Sequence, residues 1–186
     1  MLLCFGTIVF LAEVYWIFTS PGPLPSVALH DFKLNAFNLS TLLPTSTVTS
    51  NFLVTIYCQN NDDEGPIHFD KVDFYAFYRN QLQMAPTTSM PPTYLRHMEV
   101  TVWSSYLIGT AVPVNDPDLV ASLAQDLADG AVLINVKVMG RLRYRKWFFT
   151  VRYAMEVNCP LYVTFGNENN VFKDPFGIGC HTSVKV

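Results

Sequence analysis

From Val27 onward the chain alternates apolar and polar residues with a period of two, and this alternation decides the fold class before any motif is weighed. Successive side chains of a strand point to opposite faces, so a period of two marks a strand with one buried and one wet face. In "SVALHDFKLNAFNLS" the apolar set is Val27, Leu29, Phe32, Leu34, Phe37 and Leu39. "SNFLVTIYCQNN" is rich in β-branched and aromatic residues and runs into "NNDDEGP", an acidic turn by composition that reads as solvated. "IHFDKVDFYAFYRNQLQM" reads as strand bending at Arg79-Asn80-Gln81, "PTTSMPPTYL" as loop, and "HMEVTVWSSYLIGTAVPV" as strand again. "GAVLINVKVMGRLRYR" and "KWFFTVRYAMEVNCPLYVTF" read as successive strands with a hairpin around Lys146.

One segment breaks the pattern. In "NDPDLVASLAQDLADG" the residues Leu119, Val120, Leu123, Ala124 and Leu127 recur at helical spacing on one face. Asp116 suits the N-cap, Pro117 the first helical position and Gly130 the stop. About seven strands and one helix predict an all-β fold: an antiparallel β-sandwich over 27–186 with one short helix. The 14 Phe, 9 Tyr and 3 Trp suit such a core. A net charge of −3 disfavours nucleic acid as a partner.

The amino-terminal end follows other rules. Residues 2–18 form an apolar run with a single charge at Glu13. As a helix it spans about 25 Å, near the lower limit for crossing a bilayer. Tyr15 and Trp16 suit a membrane interface. The expectation is a transmembrane anchor over 1–19, truncated at its start, with a basic leader ahead of it. A cleaved signal peptide and a buried element of the domain are the alternatives. No Lys or Arg precedes Lys33, so flanking charge cannot orient the segment. "SPGPLPS", residues 20–26, reads as a short stiff Pro-rich stalk.

The order of the body's motifs resembles the plant late embryogenesis abundant group-2 domain, in its membrane-anchored, harpin-induced and non-race-specific-disease-resistance-like branch. "FNLSTLLPTSTVTSNFLVTIYCQNND", "HFDKVDFYAFYRNQLQ", "MPPTYLRHMEVTVWSSYLIGT" and "GAVLINVKVMGRLRYRKWFFTVRYAMEVNC" carry that resemblance in order. The turn at Gln59-Asn60-Asn61 lacks the proline usual there, and the stretch after Arg145 lacks a glycine common in the family. The resemblance implies a fibronectin type III-like sandwich. It implies a non-enzymatic role in defence and stress at the plasma membrane, with plasmodesmata as a further location. It implies no catalytic site. The expected topology is single-pass, with the carboxyl-terminal body outside the cell.

Little in the sequence carries chemistry. The four histidines are scattered, no nucleophile motif appears, and no cysteine or histidine spacing suits a metal, so neither a cofactor nor a metal is expected. Cys58 reads as a buried small hydrophobe. Cys159 and Cys180 flank the last strands and are the candidate disulfide; two unpaired thiols are the alternative. Asn38-Leu39-Ser40 is an N-glycosylation sequon. Arg141, Arg143 and Arg145 share one face of their strand, which is either an ordinary solvent face or one turned toward anions such as lipid headgroups. The expected partners are therefore the membrane through residues 2–18, a protein of unknown identity, and an anionic lipid. The alternative to an interaction protein is a carrier of lipid or another small apolar ligand between the sheets.

Overall fold

The computed structural model describes residues 24–41, 45–62, 65–146, 149–165 and 171–185, together with 6, 9–12 and 15. Most of the expected anchor over 1–19 and of the stalk over 20–26 therefore lies outside the described residues. Residues 6, 9–12 and 15 are helical. Among the described residues no helix is long and apolar enough to cross a membrane.

Among the described residues from 24 onward, eleven strands and one helix follow in the order β1 (Ser26–Ser40), β2 (Ser46–Gln59), β3 (Ile67–Tyr78), β4 (Leu82–Gln83), β5 (Thr88–Met90), β6 (Thr93–Leu95), β7 (Val100–Val114), α1 (Pro117–Ala128), β8 (Ala131–Lys146), β9 (Phe149–Thr164), β10 (Val171–Gly179) and β11 (His181–Lys185). They form two antiparallel sheets. Sheet A has the order β10-β1-β2-β7, and sheet B the order β11-β9-β8-β3-β4, with β5 and β6 also pairing with β3. The strand count exceeds the expected seven because β10 and β11 lie beyond the segments read as strand and because "PTTSMPPTYL" is not wholly loop. Its segments Thr88–Met90 and Thr93–Leu95 pair with β3, which gives their backbone groups partners that local sequence cannot reveal.

The alternation works as physics requires. Along β2, Val48, Ser50, Phe52, Val54, Ile56 and Cys58 are buried, and the residues alternating with them are half-buried or exposed. From sheet B come Phe69, Val72, Phe74, Ala76, Val136, Val138, Leu142 and Val157, and the two sets form one core. Trp103 of β7 meets Phe69 edge-on at 5.1 Å and Phe74 at 6.5 Å between ring centroids, tying the sheets together. Arg79 (φ 45°) and Asn80 (φ 65°) both have positive φ, the signature of a tight hairpin turn matched to strand twist, and this turn connects β3 to β4.

Helix α1 begins as its sequence says. Asp116 caps it by accepting from Asp118 N at 2.9 Å, with Pro117 in the first turn. Leu123 is buried while Leu119, Val120 and Leu127 pack against the core. Ala124, assigned to the apolar face by spacing, is exposed. A methyl group at the margin of a narrow stripe loses little by staying wet. Asp126 accepts a hydrogen bond from the Tyr78 hydroxyl (2.7 Å) and pairs with Arg79 (2.7 Å), clasping the helix to the end of β3. Burial, followed by the hydrogen bond to the Asp126 carboxylate, pushes the Tyr78 phenol well above its ordinary range.

Two residues of the acidic turn, Asn60 and Asp62, are not solvated as its composition suggests, Asn61 is exposed, and Asp63 and Glu64 lie outside the described residues. Asn60 is fully buried and Asp62 nearly so. Asn60 Nδ2 donates to the carbonyls of Gly65 (2.9 Å) and Arg96 (3.0 Å), and its Oδ1 accepts from Asp62 N (3.0 Å). The Tyr144 hydroxyl donates to Asp62. Asn60 thus supplies, through its side chain, the partners that a turn buried under β8 would otherwise lack.

Candidate functional site

The outer face of sheet B concentrates the chain's polar chemistry. On β8 the odd-numbered residues from Ala131 to Arg145 alternate with buried Val132, Ile134, Val136, Val138, Leu142 and Tyr144. Arg141 and Arg145 are exposed and Arg143 is half-buried. Strand register then sets their neighbours. Lys71 of β3 stands opposite Arg141, and His68 opposite Arg143. On the other side Arg152 of β9 stands opposite Arg143, and Ala154 opposite Arg141. Lys185 of β11 pairs in turn with Ala154. Two rows across the sheet, Lys71–Arg141–Ala154–Lys185 and His68–Arg143–Arg152, are thereby almost entirely basic.

Carboxylates neutralise only part of this. Arg143 Nη2 and Nε approach Asp70 Oδ1 at 2.6 and 2.8 Å. Lys71 pairs with Asp73 at 2.7 Å, and Lys137 with Glu156 at 3.9 Å. Burial opposes ionisation of Asp73, but hydrogen bonds from Lys71 and Ser89, with the charges of Lys71 and Arg141, outweigh it and hold the carboxyl below its ordinary value. Among the described residues Arg141, Arg145 and Arg152 have no ion-pair partner. Two adjoining grooves run along the face. One, of about 790 Å³, is lined by Asp70, Lys71, Arg141, Arg143, Arg152 and Tyr153. The other, of about 460 Å³, runs on past Asp73, Met139, Glu156, Ser183 and Lys185.

Sequence spacing alone misses Lys71, Arg152 and Lys185. A signal for one of them exists: a two-residue connection after Lys146 places Arg143 opposite Arg152. Lys71 and Lys185 come from strands distant in sequence, and only register brings them to the face.

The other singled-out residues lie elsewhere. Cys159 and Cys180 are bonded to each other, with Cα atoms 4.5 Å apart. Cys159 is fully buried in β9. Cys180 lies between β10 and β11, where the chain leaves sheet A for sheet B, and its N–H donates to Val27 O. Asn38 is exposed on β1, opposite Thr49 of β2. Among the described residues β10 pairs with β1 from Ala28 to Lys33 and no strand pairs with β1 on that side at Asn38.

Cys58 is buried and unpaired, and burial pushes its thiol up to about 12. A thiol that cannot ionise near neutral pH is a poor nucleophile. Iodoacetamide at pH 8 should leave Cys58 unmodified in the folded protein and modify it after denaturation, as read by peptide mass spectrometry. Modification of Cys58 under native conditions would contradict this. Among the described residues no group of three or more His, Cys, Asp or Glu is placed to hold a metal ion.

With this geometry in place, comparison with known proteins is informative. A family model described as "Late embryogenesis abundant protein" matches residues 55–159. The relatives found come from Arabidopsis thaliana. "NDR1/HIN1-like protein 1" is 37% identical over 177 residues, covering 91% of this chain and 83% of the relative. "NDR1/HIN1-like protein 12" is 34% identical, covering 82% and 70%, and "NDR1/HIN1-like protein 26" is 28% identical, covering 87% and 75%. Among solved structures, a protein from Archaeoglobus fulgidus matches at a TM-score of 0.37 and 12% identity over 72% of this chain and 98% of that one, too loosely to carry an argument.

Proposed function

Because this chain belongs to the late embryogenesis abundant protein family, with NDR1/HIN1-like relatives over most of its length, we propose that it is a membrane-anchored, non-enzymatic protein of plant defence and stress response, acting through contacts of its β-sandwich at the plasma membrane. The observation that carries this reading is the apolar run at residues 2–18, set only seven residues ahead of a disulfide-bridged sandwich. Seventeen residues suffice for a short bilayer-spanning helix.

The Cys159–Cys180 bridge favours a body on the oxidising side of the membrane. Asn38 suits a glycan there. It is exposed, and it lies on the last turnward part of β1, away from Ser26, where the chain enters the body. On this reading the domain stands outside the cell, single-pass, with plasmodesmata as one location within the same membrane system.

Two linked measurements test the proposal. The full chain should stay in the membrane pellet after an alkaline carbonate wash. A carboxyl-terminal tag should resist protease in sealed microsomes until detergent is added, and endoglycosidase should increase gel mobility in the wild type and leave Asn38→Gln unchanged. Release of intact protein by the wash would remove the anchor. Cleavage of the tag without detergent would place the body in the cytosol.

A further inference from the structure

We propose that β7 pairs with β7 of a second copy of this chain, joining two copies of sheet A into one antiparallel sheet across a twofold axis at Ser104. Sheet A ends at β7, and among the described residues no strand pairs with β7 on the side away from β2. From Val100 to Val114 the strand carries no Asp, Glu, Lys or Arg. It runs in unbroken register with β2 from Val100 to Gly109. The positive φ of Ala111 (48°) and the ring of Pro113 fall beyond that stretch. A long edge strand with neither a charge nor a break is a template for another strand.

The other described edges are protected against pairing. At one end of sheet B, β11 has five residues and ends in Lys185. At the other end β4 has two residues, and β5 and β6 have three each. β10, the far edge of sheet A, contains Lys173, Asp174 and Pro175. Short length, charge and proline each discourage strand addition. Among the described edges, β7 from Val100 to Gly109 is the one that has none of them.

The row of side chains selects a second copy as the occupant. Val100, Val102, Tyr106 and Ile108 are each 50–55% exposed, and exposed Ser104 lies midway between them. In antiparallel pairing about Ser104, Val102 meets the partner's Tyr106, and Val100 meets the partner's Ile108. An aromatic opposite a β-branched residue is a favourable cross-strand pair, and an uncharged strand meets its own copy with no like charges opposed. The main chain agrees with this register. Asn60 N–H donates to Glu99 O at 3.0 Å, so that carbonyl points toward β2. Main-chain groups of successive strand residues point to opposite sides, so those of Val100, Val102, Ser104, Tyr106 and Ile108 point away from β2. Accordingly Tyr106 O accepts from the Thr88 hydroxyl of sheet B, at 3.4 Å, a long contact that a second β7 would replace. Ser26 stands opposite Gln59, and Gln59 opposite Val100, so each chain enters at the Val100 end. In the pair the two Val100 ends lie roughly 27 Å apart along the strands, and residues 19–25 of each copy extend up to about 25 Å. Both copies therefore reach one membrane when the strands lie along it, and the pairing neither conflicts with the anchored reading nor rests on it.

The test is register-specific crosslinking of the full chain in detergent, in a Cys4→Ser background. Cys58 is buried, and Cys159 and Cys180 are bonded to each other, so none of them competes. V102C and Y106C proteins, carrying tags of different size, are mixed and mildly oxidised. The mixed disulfide should form several-fold faster than either like pair. A hydrogen-bonded pair stands about 5.5 Å apart at Cα, within disulfide reach, whereas like positions lie roughly 14 Å apart along the strands. S104C, on the axis, should crosslink with itself. Equal rates for mixed and like pairs would mean random collision and overturn the proposal. Absence of all these crosslinks would overturn it too and leave the edge to a strand of another protein.

Sedimentation gives a second readout. A pair of single strands is a small interface, so the wild-type chain should sediment as a dimer at about 50 µM in the same detergent. V102K/S104K opposes lysines across the axis and should weaken association at least about tenfold. On β2, Tyr57 stands opposite Val102 and Thr55 opposite Ser104, so neither lysine faces a charge within its own sheet, and the thermal midpoint should stay near wild type. A dimer equally tight in V102K/S104K would place the contact elsewhere, in residues 2–18 or on another face, and overturn the proposal. A wild-type chain that stays monomeric would also overturn it.

Discussion

Gly109→Ala is expected to destabilise the fold by about 3–5 kcal/mol, although alanine usually suits a strand better than glycine. A Cβ on Gly109 would meet the Met84 carbonyl oxygen at 1.9 Å, the Met84 carbonyl carbon at 3.0 Å and Ser50 Oγ at 3.1 Å. Ser50 stands opposite Gly109 in the β2–β7 ladder and donates to Met84 O at 2.9 Å. The fully buried Met84 is also held through its own N–H, which donates to Ala76 O at 2.8 Å. The loop after β4 therefore plugs a notch in sheet A, and backbone cannot yield there as a flexible side chain would. Moving Met84 away leaves buried polar groups unpaired, which adds to the overpacking. For a chain of this size the loss amounts to a fall in Tm of roughly 10 °C, read by circular dichroism. Ser50→Ala removes only the hydrogen bond and should cost about 1–2 kcal/mol. A Gly109→Ala protein as stable as wild type would show that the notch is not a close backbone contact.

The second large effect is redox-dependent. The Cys159–Cys180 bridge closes a segment of 21 residues, and in the chain-entropy model such a crosslink contributes about 3 kcal/mol. Its placement adds a structural consequence. β10 completes sheet A beside β1, while β11 pairs with β9 in sheet B, and the bridge holds the crossover between them. Reduction should lower Tm by roughly 6–12 °C and loosen β10 first, leaving β1 as a longer bare edge. The same reductant should have no effect on Cys180→Ser. Cys159→Ser should be less stable than Cys180→Ser, because its hydroxyl would lie in a fully buried position. An equal midpoint with and without reductant would remove the bridge from the account of stability, and with it one support for an extracytosolic body.

Much of this architecture was legible in the sequence, because the decisive information is local. A period of two is a property of neighbouring residues, and it assigned the apolar face of β1 and the two faces of β8 around Arg141–Arg145 without reference to any partner. Asp116, Pro117 and Gly130 bound α1 through their own side-chain and backbone chemistry. At the hairpin only Asn80 is of a type that takes positive φ readily, while Arg79 at φ 45° is held by its ion pair with Asp126. What failed depended on distant partners. β5 and β6 are strands only because β3 offers them hydrogen bonds. Asn60 and Asp62 of the acidic turn are buried only because Gly65, Arg96 and Tyr144 close over them.

The same division runs through the candidate site. Sequence alone determined that Arg141, Arg143 and Arg145 share a face, since alternation within one strand needs no neighbour. Only the tertiary structure decided that Lys71, Arg152 and Lys185 join them, because strand register is set between segments up to 114 residues apart, Lys71 to Lys185. The notch at Gly109 has the same origin: one missing Cβ says nothing in sequence until the loop of the other sheet occupies the space it leaves.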